Sequence, residues 1–573
     1  MSLAKELQKV LHGSVEDAPK VLEAYSRDAS LFKVVPEVVV HPKNTDDICA
    51  LVQFVNVQKE IPKTHLSLTA RAAGTDMSGG PLTDSMVLDM TAHFTRLLTL
   101  GHDCAVVEPG MYFRDFDRET QKKGLELPSY TASRELNTVG GMVANNSGGE
   151  KNLKYGKTAR YVEELEVVLA DGHPHVFKKL GKEELAVKCA EPGFEGDIYR
   201  KMSALVRTHA ATIAAATPKV EKNSSGYALW DIGDGVEALD LARLFVGSQG
   251  TLGIITKIKF SLVRPLPYSA MVVLFLDNLS ELGALVPEVL KAKPDSFESY
   301  DDHTFKLGVK YFPEFARQMV SKGAKEMSLF KLFWSFLPEV WMVMRGGVPK
   351  LVLMAEFRGG TQLEALTKAV DLAGHITKTQ PRVSVRVARS EKAARKYWVI
   401  RRESFNLLRQ KVRGMRTAPF IDDFVVPPNT LPQFLPKLDH ILEQYELTYT
   451  VAGHVGDGNF HIIPLIDPKD QKMRRVIDEL SHKVYDLVLA YGGSISGEHN
   501  DGLVRTPYVP KMFGPAMYAL FLEVKKIFDP QNIFNPGKKV GTTYSDALTK
   551  LDLPPIKTKK VSTPTKKGRM QKK

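Results

Sequence analysis

The chain has 573 residues, 43% of them hydrophobic and 25% charged, and a formal net charge of +12. This is the composition of a soluble globular protein long enough for two or more domains. It argues against a bilayer-spanning chain: the most apolar stretch, 327–344, is short and interrupted by Lys331, Pro338 and Glu339.

Most of the positive charge lies at one end. Residues 557–573 hold seven Lys and one Arg with no acid, so this tail carries +8 of the total. Thr, Ser, Pro and Gly between the lysines predict a disordered segment, a surface for acidic lipid, nucleic acid or an acidic protein. No aromatic residue interleaves with the basic ones, so no specific nucleic-acid partner is expected. Cys49, Cys104 and Cys189 are odd in number and far apart. That fits a reducing cytoplasm and leaves no intrinsic four-cysteine iron–sulfur cluster, so any electrons must pass to a separate acceptor.

Residues 1–9 read as an amphipathic helix without the apolar core of a signal peptide, so the expected location is cytoplasmic. A strand is predicted over 36–40, a helix capped by Thr45 and running through Lys59, and a strand over 66–70 that enters a glycine-rich turn. Strands follow at 88–90, 105–108 and 165–169, with a helix over 113–123 among them. The order is α+β and not a clean βαβ repeat.

Two loops are chemically loaded. Arg71-Ala72-Ala73-Gly74-Thr75-Asp76-Met77-Ser78-Gly79-Gly80 leaves a strand with backbone N–H groups and two hydroxyls, the ingredients of a pyrophosphate nest. Its spacing is not G-x-G-x-x-G and no helix clearly follows, so it is no nicotinamide fingerprint. Residues 137–149, with Gly140, Gly141, Gly148 and Gly149, form a second loop whose backbone can approach a flat ligand. A third glycine-rich stretch, 246–255, joins them. Pro265 and Pro267 then punctuate the chain, a domain boundary is placed near Arg264, and strands of a second sheet are expected at 271–276 and 351–357.

Farther on, 447–455 and 459–465 read as strands joined at Asp457-Gly458, a two-residue hairpin signal. That turn sets His454 directly opposite His461, with Cβ atoms roughly 4.5–5.5 Å apart, close enough to share a divalent ion. A helix over 473–490, stopped by Gly492-Gly493, returns through a short strand at 494–496 to Gly497-Glu498-His499. Glu498 completes a set of two His and one carboxylate. Such a set keeps open coordination positions and suits zinc, manganese or ferrous iron alike.

Gly74-Thr75-Asp76-Met77-Ser78-Gly79-Gly80, Val139-Gly140-Gly141-Met142-Val143-Ala144-Asn145-Asn146, Gly247-Ser248-Gln249-Gly250-Thr251-Leu252-Gly253, the two His motifs and Asn535-Pro536-Gly537-Lys538 occur in that order. In these, from about Tyr25 to Lys539, the chain resembles the FAD-linked oxidases and dehydrogenases of vanillyl-alcohol-oxidase (PCMH) type, specifically their D-2-hydroxyacid dehydrogenase branch. The resemblance implies an α+β fold: a PCMH-type FAD-binding domain over 1–264, with 1–34 as helical lead-in, and an α+β cap domain on an antiparallel sheet over 265–524. Residues 525–545 would return to the first domain and 546–573 form the disordered tail.

The resemblance also implies roles. FAD would be held by Arg71, Ala73, Gly74, Thr75, Asp76, Ser78, Gly79, Gly80, Thr138, Gly140, Gly141, Asn145, Ser147, Gly149, Gly250, Ile255 and Asn535. No histidine of the kind that links flavin covalently in some relatives stands in 71–80, so the FAD is expected to be non-covalent. A D-2-hydroxy acid such as D-lactate or D-2-hydroxyglutarate would be oxidised to its 2-oxo acid by hydride transfer to flavin N5. A divalent metal (zinc, manganese or iron) on His454, His461 and Glu498 would orient it, and His499 would act as base.

Trp398-Val399-Ile400-Arg401-Arg402-Glu403 resembles the family segment whose Arg holds the substrate carboxylate. Spacing favours Arg401, with Glu403 or Asp423 as candidate partners of Arg402. Gln249 stands where the family commonly has Glu, and Ile463 where some relatives have Asn. The acceptor would be a quinone, an electron-transfer flavoprotein or an iron–sulfur protein. Phe330, Phe333, Trp334, Leu337 and Trp341, at helical spacing, form an apolar face for the cap interior or for peripheral contact with the inner face of a membrane. The competing readings are an alkylglycerone-phosphate-synthase-like transferase and a flavin-carrying subunit of a redox assembly.

Overall fold

The computed structural model describes residues 2–61, 64–302, 304–306, 347–411 and 414–554, with 403–411 in backbone only. The apolar segment 327–344 and the basic stretch 557–573 lie outside the described residues.

The described residues build three sheets. The first has four strands in the order Ser14–Glu16, Val38–His41, Met86–Asp89 and Leu68–Arg71, the last three mutually parallel. The helix Thr45–Lys59 covers it with Ile48, Leu51, Val52 and Val55. Its cap is Asn44 and not Thr45: the Asn44 side chain accepts from Asp47 N, while Thr45 already has helical backbone. Ile533 and Phe534, from far down the chain, complete this core.

The second sheet is antiparallel, in the order Leu97–Leu100, Cys104–Val107, Ile254–Ser261, Val162–Val168, Pro174–Gly181 and Ala238–Asp240. The chain leaves it at Ser261 and enters the third sheet at Tyr268. That sheet is antiparallel too, running Ser384–Ala388, Tyr268–Leu276, Leu351–Gly359, Ser296–Asp301, Thr448–His454, Asn459–Ile466 and Arg416–Thr417, with Phe424–Val425 also paired to Asn459–Ile466.

Tyr268–Leu276 is apolar almost throughout because both of its faces are buried. Ala270, Val272 and Leu274 pack with the helices Leu282–Lys291, Gln362–Thr379 and Leu431–Leu442. Met271, Val273 and Phe275 pack with Ala394, Tyr397 and Trp398 of the helix Glu391–Lys411. The architecture is α+β, and no helix among the described residues is long and apolar enough to cross a membrane.

Two segments pack differently from expectation. The helical segment Val509–Phe528, broken by a kink at Gly514 and expected largely within the second domain, buries Phe513, Met517, Leu520, Phe521 and Val524 in the core of the second sheet. Residues 546–554, expected with the tail, continue the helix Tyr544–Thr549 into a turn held by Arg474. Its guanidinium donates to the carbonyls of Leu548, Leu551, Leu553 and Pro554.

Candidate active site

The three glycine-rich stretches converge on one cavity of about 1350 Å³, its open mouth included. Arg71, Gly74, Thr75, Asp76 and Gly80 line it from the first loop, Thr138, Gly140, Gly141, Asn145 and Ser147 from the second, and Gly250 and Ile255 from the third. The second stretch is not a plain loop as expected. It opens the helix Val139–Asn145, whose cap Thr138 accepts from Gly141 N at 3.2 Å. Apolar Met90, Pro109 and Met142 complete the wall. Small residues and exposed backbone over such a length suit an extended, flat cofactor. Gly250 is required as glycine by its φ of +68° and has open space where a side chain would stand.

Other expected cofactor residues shape the cavity from behind. Ala73, Ser78, Gly79, Gly149 and Asn535 do not line it. A Cβ on Gly149 would sit 2.2 Å from the Tyr130 carbonyl, so the two backbones must touch there. Ser78 is fully buried, its hydroxyl on Asp76 Oδ2 at 2.8 Å. Asp76 spends its carboxylate on the protein, accepting from Ser78 N, Gly80 N and Asn145 Nδ2. Asn535 Nδ2 donates to Gly80 O at 3.0 Å and Gln249 O at 2.7 Å, tying first loop to third. Gln249 explains its own departure from Glu: it accepts from Gly502 N and donates to Ser78 Oγ and Asn145 Oδ1. A carboxylate has no N–H for the second task.

Glu498 and His499 close one end of the cavity, and behind them lies the histidine cluster. The hairpin differs in register from expectation: His454 pairs with Asn459, and His461 with Ala452. The turn is four residues long, a short helical turn Val455–Asp457 followed by Gly458 at φ +69°. His454 and His461 are therefore diagonal neighbours on one face, their rings 5.3 Å apart between centroids. Ser494 makes one bridge to Val425, where a short strand was expected.

Glu498 Oε1 lies 3.3 Å from His454 Nε2 and 3.2 Å from His461 Nε2. Donors bound tetrahedrally to one ion at 2.0–2.1 Å stand roughly 3.3–3.4 Å apart, and both distances to Glu498 match that spacing. His454 Nδ1 is hydrogen-bonded to Glu298 at 2.6 Å and His461 Nδ1 to Asp422 at 3.1 Å, which fixes their tautomers and leaves Nε2 as the basic atom. His499 Nδ1 stands 2.8 Å from Asp422 Oδ2, at ion-pair distance but without hydrogen-bond geometry. The donors that all lie within 4.8 Å of one another are those of Asp423, His461, Glu498 and His499; His454 is not in that group. Asp423 itself is committed to the protein, accepting from the N–H groups of Glu498 and His499 and from Ser496 Oγ.

The field of the cluster favours positive charge. Burial works against a charged His461, but Asp422 and then Glu498 outweigh it and hold its pKa up at about 10. Burial likewise opposes the Glu498 and Asp422 carboxylates. Lys222 and His454 nevertheless hold Glu498 well below the usual range, and His499 and His461 do the same for Asp422.

Arg401 is buried with Nη2 2.5 Å from Glu298 Oε2, and its Nε has no hydrogen-bond partner among the described residues. Among the described side chains, which do not include that of Glu403, Arg402 does not meet its expected partner Asp423. It grips Glu150 with Nε at 3.0 Å and Nη2 at 2.5 Å and lies over the Trp398 ring. Sequence reasoning missed Glu298, Asp422 and Lys222. A charged residue inside the buried strand Ser296–Asp301 and an acid pair flanked by Ile421 and Phe424 were the available signals for the first two; nothing marks Lys222.

Comparison with known proteins agrees with this geometry. The FAD binding domain model matches residues 36–178, and the model for the C-terminal domain of FAD linked oxidases matches 266–539. These matches put the molecule in the class of flavin-dependent oxidoreductases. The chain belongs to the FAD-linked oxidase family.

It is 28% identical to D-2-hydroxyglutarate dehydrogenase of Pseudomonas putida, over 89% of this chain and 49% of that protein. It is 28% identical to D-lactate dehydrogenase of Archaeoglobus fulgidus, over 94% of this chain and 99% of that one. The chain thus spans about half the length of the first of these relatives and nearly all of the second. Solved p-cresol methylhydroxylase shares the PCMH-type fold, with a TM-score of 0.64 at 15% identity over 94% of this chain and 96% of that one.

Proposed function

We propose that this protein oxidises a D-2-hydroxy acid, of the D-lactate or D-2-hydroxyglutarate kind, to the 2-oxo acid. The observation that carries the reading is that Glu498 and His499 belong at once to the cavity of the FAD-binding domain and to the histidine–carboxylate cluster. A substrate lying between them would have its Cα toward the flavin cavity and its oxygens toward the cluster.

Bound FAD supplies the two-electron acceptor for the hydride. His454, His461 and Glu498 would hold a divalent cation, which makes an alcohol oxygen beside it more acidic. His499 takes the hydroxyl proton at Nε2, since its Nδ1 faces Asp422. Arg401 is the residue for the substrate carboxylate: its Nε–H has no hydrogen-bond partner among the described residues, and Glu298 pairs with the guanidinium. Electrons then leave to a separate acceptor of the quinone, flavoprotein or iron–sulfur class, in the cytoplasm or at the inner face of a membrane.

The reading is tested by mixing the FAD-loaded protein anaerobically with D- and L-enantiomers of 2-hydroxy acids and following flavin absorbance. The mixing is repeated after chelation and after zinc or manganese is restored. Bleaching by D-enantiomers alone, lost on chelation and recovered with the cation, is expected. A flavin that stays oxidised with every acid in the presence of cation overturns the reading.

A further inference from the structure

Lys222 is fully buried and belongs to the flavin-side half, between the helix Ala210–Ala216 and the short helix Leu229–Asp231. Its ammonium reaches across to the cap, 2.7 Å from Glu498 Oε2 and 2.7 Å from Asn459 Oδ1. The two oxygens of Glu498 are thereby divided. Oε2 faces Lys222, and Oε1 faces the Nε2 atoms of His454 and His461.

The Gly148 backbone lies beside the pair: a Cβ added there would make ordinary van der Waals contact with Lys222 Cε at 3.4 Å and Glu498 Oε2 at 3.5 Å. Lys157 Nζ donates to Asn223 O at 2.5 Å and Gly497 O at 2.9 Å, which pins the residues adjacent to both partners.

We infer that Lys222 is a positioning residue for the cation site: it claims Oε2, confines Glu498 to coordination through Oε1 alone, and sets a positive charge beside the ion. The inference rests on the cation reading of the preceding subsection and adds a direction to it. A carboxylate free to bind through both oxygens would take a second coordination position and bind a divalent ion more tightly. A neighbouring ammonium opposes the ion by direct repulsion. Lys222 therefore trades affinity for an open position that substrate oxygens can occupy.

The test uses the full-length, FAD-loaded protein and Zn²⁺ as probe, with affinity read by competition against a chromophoric chelator and flavin content as control. Lys222→Gln is expected to bind Zn²⁺ tighter by roughly tenfold or more, with flavin content unchanged. A lysine of purely structural use would loosen the site on removal, so weaker or unchanged binding overturns the inference.

Should the single variant fail to fold, the comparison moves to Glu498→Gln against Lys222→Met/Glu498→Gln. The double variant is expected to bind Zn²⁺ about tenfold tighter than Glu498→Gln, and equal affinities overturn the inference. Wild-type protein that holds no Zn²⁺ dependent on His454 and His461 overturns the cation reading and this inference together. Wild-type binding with no gain in Lys222→Gln overturns this inference alone.

Discussion

The Arg401 guanidinium lies 2.5 Å from the Glu298 carboxylate, with both groups buried. The other Glu298 oxygen is on His454 Nδ1 at 2.6 Å, so one side chain steadies both the proposed carboxylate clamp and a proposed cation ligand. Glu298→Gln is expected to weaken Zn²⁺ retention by about 10–100-fold, the usual cost of losing an outer-shell partner, and to raise KM for the hydroxy acid. Chelator competition and steady-state kinetics measure the two effects. A raised KM with wild-type Zn²⁺ retention would show that His454 does not depend on Glu298.

The neighbouring arginines are predicted to separate cleanly. Arg401→Met raises KM. Arg402→Met leaves KM unchanged but takes from the part-buried Glu150 carboxylate its cationic partner, leaving only Tyr130. Because Arg402 is a third exposed, the expected loss of stability is about 2 kcal/mol, below the range for a fully buried pair. Denaturant unfolding checks it.

His499→Ala is expected to slow anaerobic flavin reduction by about 10²–10⁴-fold, the range for loss of a general base, with FAD and cation content retained. Stopped-flow absorbance is the measurement. Reduction at the wild-type rate removes His499 from the mechanism.

Asn535→Ala leaves the carbonyls of Gly80 and Gln249 without their buried donor. The expected cost is on the order of 2 kcal/mol, accompanied by faster FAD loss, because both carbonyls belong to cavity loops. Flavin fluorescence during dilution reports the loss. Unfolding that weakens while FAD release stays at the wild-type rate would separate Asn535 from the cofactor.

His175 sits in the second sheet between Asp171 at 2.9 Å and Glu195 at 3.2 Å. Burial opposes its charge, yet the two carboxylates raise its pKa to about 9. A raised value favours the charged, folded form: the stabilisation is complete below the unfolded imidazole value near 6.5 and lost as pH rises through about 9. His175→Gln should therefore lose on the order of 3 kcal/mol near pH 6 and little near pH 10, read by denaturant midpoints across that window. A pH-independent loss would mean that packing, not charge, is what His175 provides.

Local pattern carried much of this molecule. The helix expected over 473–490 is the helix Met473–Ala490, because periodic apolar residues followed by paired glycines leave little choice. The glycine loops were legible as cavity walls because small residues have few other uses at such density.

The hairpin register was not legible. Asp457-Gly458 reads as a two-residue turn, but Asp457 is buried and accepts from Asn152 Nδ2 at 3.2 Å, a contact from the other half of the chain that favours the longer turn. Distance in sequence hid the rest. Glu298 serves His454, and Lys222 serves Glu498, across separations that no local pattern spans. The sequence offers Arg402 the acids Glu403 and Asp423, whereas the partner it grips, Glu150, lies 252 residues away in the chain.

Leu68 N donates to Ile533 O at 2.7 Å, and Asn535 N to Leu68 O at 2.9 Å, so the sheet that begins the chain is completed by residues near its end. On a ribosome, the first sheet must wait with that edge unpaired until residues 533–535 have been translated. The cofactor site is then sealed last, after the cap has had its chance to fold. A polypeptide cut before Ile533 would lack the strand edge that finishes its first core, and flavin loading should begin only once residues 533–535 have joined that sheet.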